Sequence, residues 1–160
     1  IIAEDLGFIT PEVKSLLEYT GFPGMKVLEF GFDRRDGGGR MYQPHNYPQN
    51  CVAYVGTHDN DTALGWLEQA DPEDVALARE YLRLEPGKEE NWGMMAALWA
   101  SRADLVIVQM QDLLGLGREG RMNIPSTQGE NWRWRALPGD WDEALAKRLY
   151  RKMELYERLP

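Results

Sequence analysis

Cysteine is nearly absent from the 160-residue chain, in which Cys51 is the single example. One thiol excludes a disulfide within the chain and a thiolate metal cluster, and it fits a reducing compartment. We therefore expect a cytoplasmic protein without a metal site. The sequence also lacks any run near the roughly 18 apolar residues that cross a bilayer, so we expect no membrane segment.

Positive charge is also scarce. Lys and Arg total 18 against 26 Asp and Glu, which gives a net charge of −8. Because an acidic surface repels a phosphate backbone, nucleic acid is not expected as a ligand. Apolar residues make up 43% of the chain and charged residues 28%, which is the balance of an ordinary globular domain.

Apolar segments predict four β-strands, at residues 1–3, 26–32, 51–56 and 104–110. Helical patterns or long loops follow each of them, and this alternation predicts an α/β fold with a parallel sheet. Four strands form a poor independent sheet but a good half of an eight-stranded barrel, which needs about 250 residues. Because the chain opens inside a predicted strand, we expect residues 1–160 to be a single piece of a longer protein.

Capping residues predict where helices begin. Thr10, which precedes a proline, indicates one helix start, and Asp140 with Glu143 has capping-box spacing for the last helix. Residues 33–50 show no helical period and predict a long loop, with a flexible tip at residues 37–39.

The sharpest polar cluster is residues 57–62 (THDNDT), which follow the third predicted strand. This edge is where parallel α/β folds bind ligands, and the imidazole of His58 and the carboxylate of Asp59 can hydrogen-bond the vicinal hydroxyls of a sugar. The alternative is that Asp59, Asn60 or Asp61 caps a helix while His58 is buried and satisfied. Spacing alone leaves both interpretations open. A metal site is a further alternative, but one histidine among scattered acids lacks a convincing ligand pattern, so no metal is expected.

A second candidate is Glu4, at the end of the first predicted strand. Burial can raise the pKa of a carboxyl at such a position, as a general acid near neutral pH requires. Asp5 is expected to point elsewhere and hold the turn. The alternative, which these two residues alone favour, is that both are loop acids that cap a helix.

Aromatic side chains offer platforms for a sugar ring. Trp132 and Trp134 alternate with arginines, a period of two that predicts both indoles on one face, and Phe30, Tyr42 and Tyr47 can pack in the same way. The competing interpretation is that the tryptophans belong to the core.

A resemblance is carried by five segments in order along the chain: residues 2–7 (IAEDLG), 56–62 (GTHDNDT), 111–117 (QDLLGLG), 121–125 (RMNIP) and 131–135 (NWRWR). Together they resemble the 4-α-glucanotransferases, also called amylomaltases or disproportionating enzymes. The resemblance implies the carboxy-terminal half, about strands five to eight, of a catalytic (β/α)8 TIM barrel of the α-amylase superfamily. It implies transfer of α-1,4-glucan segments between maltooligosaccharides with retention, and no organic cofactor.

The resemblance also implies roles for individual residues. Glu4 matches the general acid/base, which protonates the leaving oxygen and then deprotonates the acceptor. Asp59 matches the carboxylate that binds sugar hydroxyls and stabilises the oxocarbenium-like transition state. The candidate substrate-binding residues are His58, Asn123, Phe30 and Asp5.

One part of the family's chemistry has no match. Retention needs a carboxylate nucleophile, which in this family lies in an Arg-x-Asp-His-type motif that these 160 residues do not contain. Three other functions stay open: a non-catalytic glucan-binding module, an α-glucan hydrolase of the same superfamily, and an unrelated α/β interaction domain.

We predict that the 160-residue chain by itself lacks transferase activity, because it supplies no nucleophile. Its unpaired strand edges should favour self-association or pairing with an amino-terminal half. The measurement is glucose release from maltotriose by the purified chain, and robust turnover would contradict the prediction.

Overall fold

The computed structural model describes residues 1–7, 9–35 and 39–159, so residues 37 and 38 of the predicted tip lie outside it. Its helices and strands are α1 (Pro11–Thr20), β1 (Gly24–Val27), β2 (Cys51–Tyr54), α2 (Ala63–Gln69), α3 (Pro72–Leu82), α4 (Glu90–Trp99), β3 (Leu105–Ile107), α5 (Met110–Leu114) and α6 (Glu143–Leu155). Among the described residues, no helix has the length and apolar character needed to cross a membrane.

The sheet confirms the predicted α/β class. Its three strands are parallel in the order β1-β2-β3, with Met25 opposite Val52 and Val52 opposite Leu105. Residues 1–7 form no strand, so the prediction of a strand at residues 1–3 is wrong. Ala3 donates one backbone hydrogen bond to the Pro23 carbonyl ahead of β1, but Ile1 is 90% exposed, and one bond makes no ladder.

The second predicted strand is shorter than expected. β1 ends at Val27, and Leu28–Phe32 forms a 3-10 turn that buries Leu28 and Phe32. Phe32 packs edge-on against Tyr81 of α3, with ring centroids 5.7 Å apart, and so joins the helical layer. The fourth predicted strand is likewise reduced to β3, because α5 already begins at Met110.

The predicted long loop contains short helical turns at Gly39–Tyr42 and Pro44–Asn46. The buried Tyr47 holds these two turns in place, because its hydroxyl donates a 2.8 Å hydrogen bond to the Tyr42 carbonyl. An internal hydrogen bond of this kind fixes the loop without requiring a periodic apolar pattern.

The helix start predicted at Thr10 is confirmed, whereas the cap predicted for the last helix is corrected. α1 begins directly after Thr10, although the Thr10 side chain makes no capping hydrogen bond to a backbone N–H. The Thr10 hydroxyl beside Glu12 lowers the pKa of that carboxyl. α6 begins at Glu143, with Asp142 accepting from the Leu145 N–H at 2.7 Å. Asp140 instead accepts from the Leu137 N–H, one turn earlier in the chain.

The core lies between the sheet and helices α2 to α4. Its fully buried side chains include Leu28, Val55, Met94, Met95 and Leu98. By contrast, α1 buries no residue, and its apolar side chains remain largely exposed. The core therefore supports the carboxyl ends of the strands from one side.

We predict that Leu98→Ala lowers the free energy of unfolding by about 2–5 kcal/mol, because Leu98 is completely buried and a cavity would remain. Leu155→Ala is the matched control, since this leucine is 66% exposed and should change the free energy of unfolding little. Urea unfolding of both variants measures the difference, and equal effects would refute this account of the core.

Candidate functional site

The carboxyl ends of the three strands meet at one edge of the sheet, where parallel folds place ligand sites. Gln109, which follows β3, donates a 2.9 Å hydrogen bond to the Gly56 carbonyl after β2 and ties the two loops together. A cleft of about 730 Å³ opens at this edge, and Phe30, Asp59 and Arg121 are part of its lining. Phe30 packs edge-on against Tyr42 at 5.4 Å, which sets its ring in the cleft wall.

The Asp59 carboxylate is the centre of a polar cluster. Asn123 Nδ2 donates a 2.6 Å hydrogen bond to Asp59 Oδ1, across 64 residues of sequence. His58 Nε2 lies 3.4 Å from the same oxygen, and the side chains of His58 and Asp59 are 57% and 48% exposed. The structure thus brings together three of the predicted site residues and leaves them accessible to a ligand.

Residues 57–62 do contain a helix cap, but it is not Asp59, Asn60 or Asp61, so that part of the capping interpretation is wrong. Thr62 is the cap of α2 and accepts from the Gly65 N–H at 3.0 Å. Asn60 Oδ1 accepts instead from the Thr57 N–H and hydroxyl, which closes a tight turn. This turn holds Asp59 at its exposed corner.

His58 is not a buried histidine. Its ring centroid lies 5.0 Å from that of Trp132, which is itself 52% exposed. Trp132 has φ +65°, so its backbone is left-handed and the predicted period of two does not hold there. The indole of Trp132 therefore lies beside the Asp59 cluster at a turn of the backbone and not on the face of a strand.

Glu4 and Asp5 lie beside the start of β1. Asp5 Oδ1 accepts from the Met25 N–H at 2.6 Å, and Gly24 leaves it room, because a Cβ there would lie 2.5 Å from Asp5 Oδ2. Asp5 therefore holds the segment to the sheet, as expected of a turn acid. Glu4 Oε1 accepts from the Leu6 N–H at 2.9 Å, and no described hydrogen bond or ion pair joins Glu4 to Asp59.

Arg121 is a residue of this edge that sequence reasoning did not select. Its guanidinium donates to the Asp59 carbonyl at 2.7 Å, the Asn123 carbonyl at 2.9 Å and Asp61 Oδ2 at 3.2 Å. The available signal was its place at the start of the RMNIP segment, two residues before Asn123.

Buried acids lie beneath the cluster. Glu29 Oε1 and Asp112 Oδ2 are buried, and neither has a hydrogen-bond partner among the described residues. Burial raises the pKa of Glu29 well above its usual range; the charges of Asp112 and Asp61 add to this rise, and Arg121 opposes it. Burial likewise raises the pKa of Asp112 to about 6, with a contribution from Asp61 and against a hydrogen bond from the Ala63 N–H.

Comparisons with known proteins agree on one family. The family model described as 4-alpha-glucanotransferase matches residues 1–139. The 4-alpha-glucanotransferase of Clostridium butyricum is 47% identical over 99% of this chain and 32% of its own length, and that of Thermus thermophilus is 45% identical over 99% and 33%. The structure of an amylomaltase from Streptococcus agalactiae in complex with acarbose is 40% identical, with a TM-score of 0.90 over 98% of this chain and 31% of that one. The chain thus spans about a third of the length of the curated relatives it matches.

We predict that the stability contributed by Asp112 falls as pH rises from about 4 to about 6. The folded state keeps the proton of Asp112 over this range, whereas the unfolded chain, with the usual lower pKa, has released it. A shift of about two pKa units corresponds to roughly 3 kcal/mol of unfolding free energy, lost above about pH 6. Asp112→Asn should remove this pH dependence in urea unfolding measured at several pH values.

The matched control is Asp104→Asn, at an exposed carboxyl. Its unfolding curves should follow the wild type at each pH. Parallel pH profiles for wild type and Asp112→Asn would show that Asp112 does not hold a proton in the folded state.

Proposed function

The chain belongs to the 4-alpha-glucanotransferase family, and from this premise we propose that the protein containing it transfers α-1,4-glucan segments between maltooligosaccharides by a retaining double displacement. The observation that carries the proposal is the exposed Asp59 cluster at the carboxyl edge of a parallel sheet. Two carboxylic acids with different tasks are what such chemistry requires from the protein, and Glu4 and Asp59 are our assignments.

In the first step, Glu4 protonates the glycosidic oxygen as that bond breaks, and a carboxylate elsewhere in the longer protein bonds the anomeric carbon. In the second step, Glu4 takes the proton of the acceptor's 4-hydroxyl, whose oxygen displaces that carboxylate. Asp59 accepts hydrogen bonds from sugar hydroxyls, and these strengthen as positive charge develops on the ring.

Three further site residues bind the glucan, and a fourth supports the loop of Glu4. His58 and Asn123, which touch Asp59 Oδ1, are placed to share its sugar hydroxyls. Phe30 offers an apolar ring face in the cleft wall, and Asp5 supports the loop that carries Glu4. No organic cofactor or resident metal is part of this mechanism.

We further propose that residues 1–160 are a single unit and form about strands five to eight of a TIM barrel. In support, β3 has exposed Leu105 and Ile107, and α1 has exposed Leu16 and Tyr19. These surfaces fit packing against the rest of a longer protein, whose relatives are about three times this length, better than self-association. The cytoplasm remains our proposal for its location.

We predict that Asp59→Asn in the full-length protein lowers kcat for maltotriose disproportionation by about 100-fold or more, because the amide cannot stabilise the developing charge. Glu4→Gln should lose turnover to a similar extent, since it has no proton to transfer. Glu68→Gln, at an exposed acid of α2, is the matched control and should behave as the wild type.

Two measurements separate the rival functions. In transfer, glucose appears while the total number of reducing ends stays constant; a hydrolase adds one reducing end for each bond broken. A glucan-binding module would bind maltotriose but release no glucose even as the wild type. Wild-type activity in Asp59→Asn would refute the assigned role of Asp59.

A further inference from the structure

We propose that Arg121 is a positioning residue that fixes Asp59 and Asn123 relative to each other by bridging the backbones of their two loops. This inference rests on the proposed function and extends it to a residue that does not itself contact substrate. Asp59 lies in the loop after β2, and Asn123 lies beyond α5. Besides the side-chain hydrogen bond from Asn123 to Asp59, Arg121 joins the two loops through their backbone carbonyls.

The bridge uses all three nitrogens of the guanidinium. Nη2 donates to the Asp59 carbonyl and Nε to the Asn123 carbonyl, at 2.7 and 2.9 Å. Nη1 donates to Asp61 Oδ2 at 3.2 Å. The side chain is 18% exposed, so these bonds form in a largely desolvated place where a planar fork is hard to replace.

Asp61 anchors the bridge from below. Its side chain is 8% exposed, and Oδ1 accepts from the Thr62 N–H at 3.0 Å, which directs Oδ2 to Arg121. Gly65 of α2 makes this placement possible, since a Cβ there would collide with Asp61 Oδ1. A buried carboxylate without its cation is strongly unfavourable, so Asp61 and Arg121 hold each other in place.

The consequence falls on the 2.6 Å hydrogen bond from Asn123 Nδ2 to Asp59 Oδ1. This bond orients the Asp59 carboxylate, and it persists only while both loops keep their relative position. Misplacement of a reacting group by about 1 Å can cost about 100-fold in rate. Loss of the bridge should therefore affect the transition state more than the binding of the ground state.

Arg118 supplies a matched control. Its Nε lies 4.0 Å from the same Asp61 oxygen, and its Nη1 donates to Gln69 Oε1 at 3.4 Å. No described hydrogen bond joins Arg118 to Asp59 or Asn123. It therefore adds positive charge near Asp61 without bridging the loops.

The experiment compares Arg121→Lys and Arg118→Lys in the full-length protein. Lysine keeps the charge that Asp61 needs but cannot form three bonds in one plane. We expect Arg121→Lys to lower kcat for maltotriose by about 10-fold or more while KM changes by less than about 3-fold. Arg118→Lys should stay within about 2-fold of the wild type in both constants.

The proposal is overturned if Arg121→Lys keeps the wild-type kcat, if KM alone rises, or if Arg118→Lys loses as much turnover. Should Arg121→Lys not fold, as judged by thermal unfolding, Asp61→Asn replaces it, because it keeps the arginine and its two bonds to backbone carbonyls. Asp61→Asn loosens the anchor of Arg121 and should lower kcat several-fold with KM nearly constant; a wild-type kcat then refutes the bridge.

A crystal structure of the variant separates this inference from the proposed function. If the wild-type protein releases no glucose, the proposed transferase function is refuted. The bridge by Arg121 is then tested by the structure of the variant alone. In Arg121→Lys, or in Asp61→Asn where that variant replaces it, separation of Asn123 Nδ2 from Asp59 Oδ1 beyond hydrogen-bond distance supports the bridge. A contact unchanged from 2.6 Å overturns it.

Discussion

The burial of several acids close to the guanidinium of Arg121 is the constraint on which the candidate site depends. Glu29, Asp61 and Asp112 lie under the carboxyl edge of the sheet, where an unneutralised charge is strongly unfavourable. Asp61 is neutralised by Arg121, whereas the raised pKa values of Glu29 and Asp112 favour their protonated forms. Arg121 is thereby fixed between the buried acids and the exposed loops. Because Arg121 also donates to the Asp59 carbonyl, its pairing with Asp61 helps to set the position of Asp59.

Much of the architecture could be predicted because it follows from local rules. Periodicity and position in the sequence are enough to predict that parallel strands alternate with helices. They are also enough to predict a His-Asp pair at the end of a strand. The strand ends could not be predicted in the same way. The apolar run after Val27 leaves the sheet in a 3-10 turn, where Phe32 packs against Tyr81, a residue distant in sequence. Apolar patterns report burial, but not which neighbour provides it.

The site was predictable to a different degree. Asp59 and His58 could be found because a strand end delivers them, and Asn123 because its segment resembles a known motif. Arg121 was missed, since its importance comes from bonds to the backbone of two loops, and backbone carbonyls leave no mark in a sequence. Trp132 was predicted to share one face with Trp134, but its backbone is left-handed and its indole lies beside His58.

The two proposed catalytic acids differ in how many contacts within the described residues hold their side chains in place. Asp59 is held by a turn, by Asn123 and by the bridge from Arg121, all within the described residues. Glu4 is exposed, and its described side-chain partner lies two residues away, so its surroundings do not aim the carboxyl at the cleft. A general acid needs both a fixed direction and a desolvated environment to work near neutral pH. On our proposal that Glu4 is that acid, the residues that orient and desolvate it are not among those the structure describes.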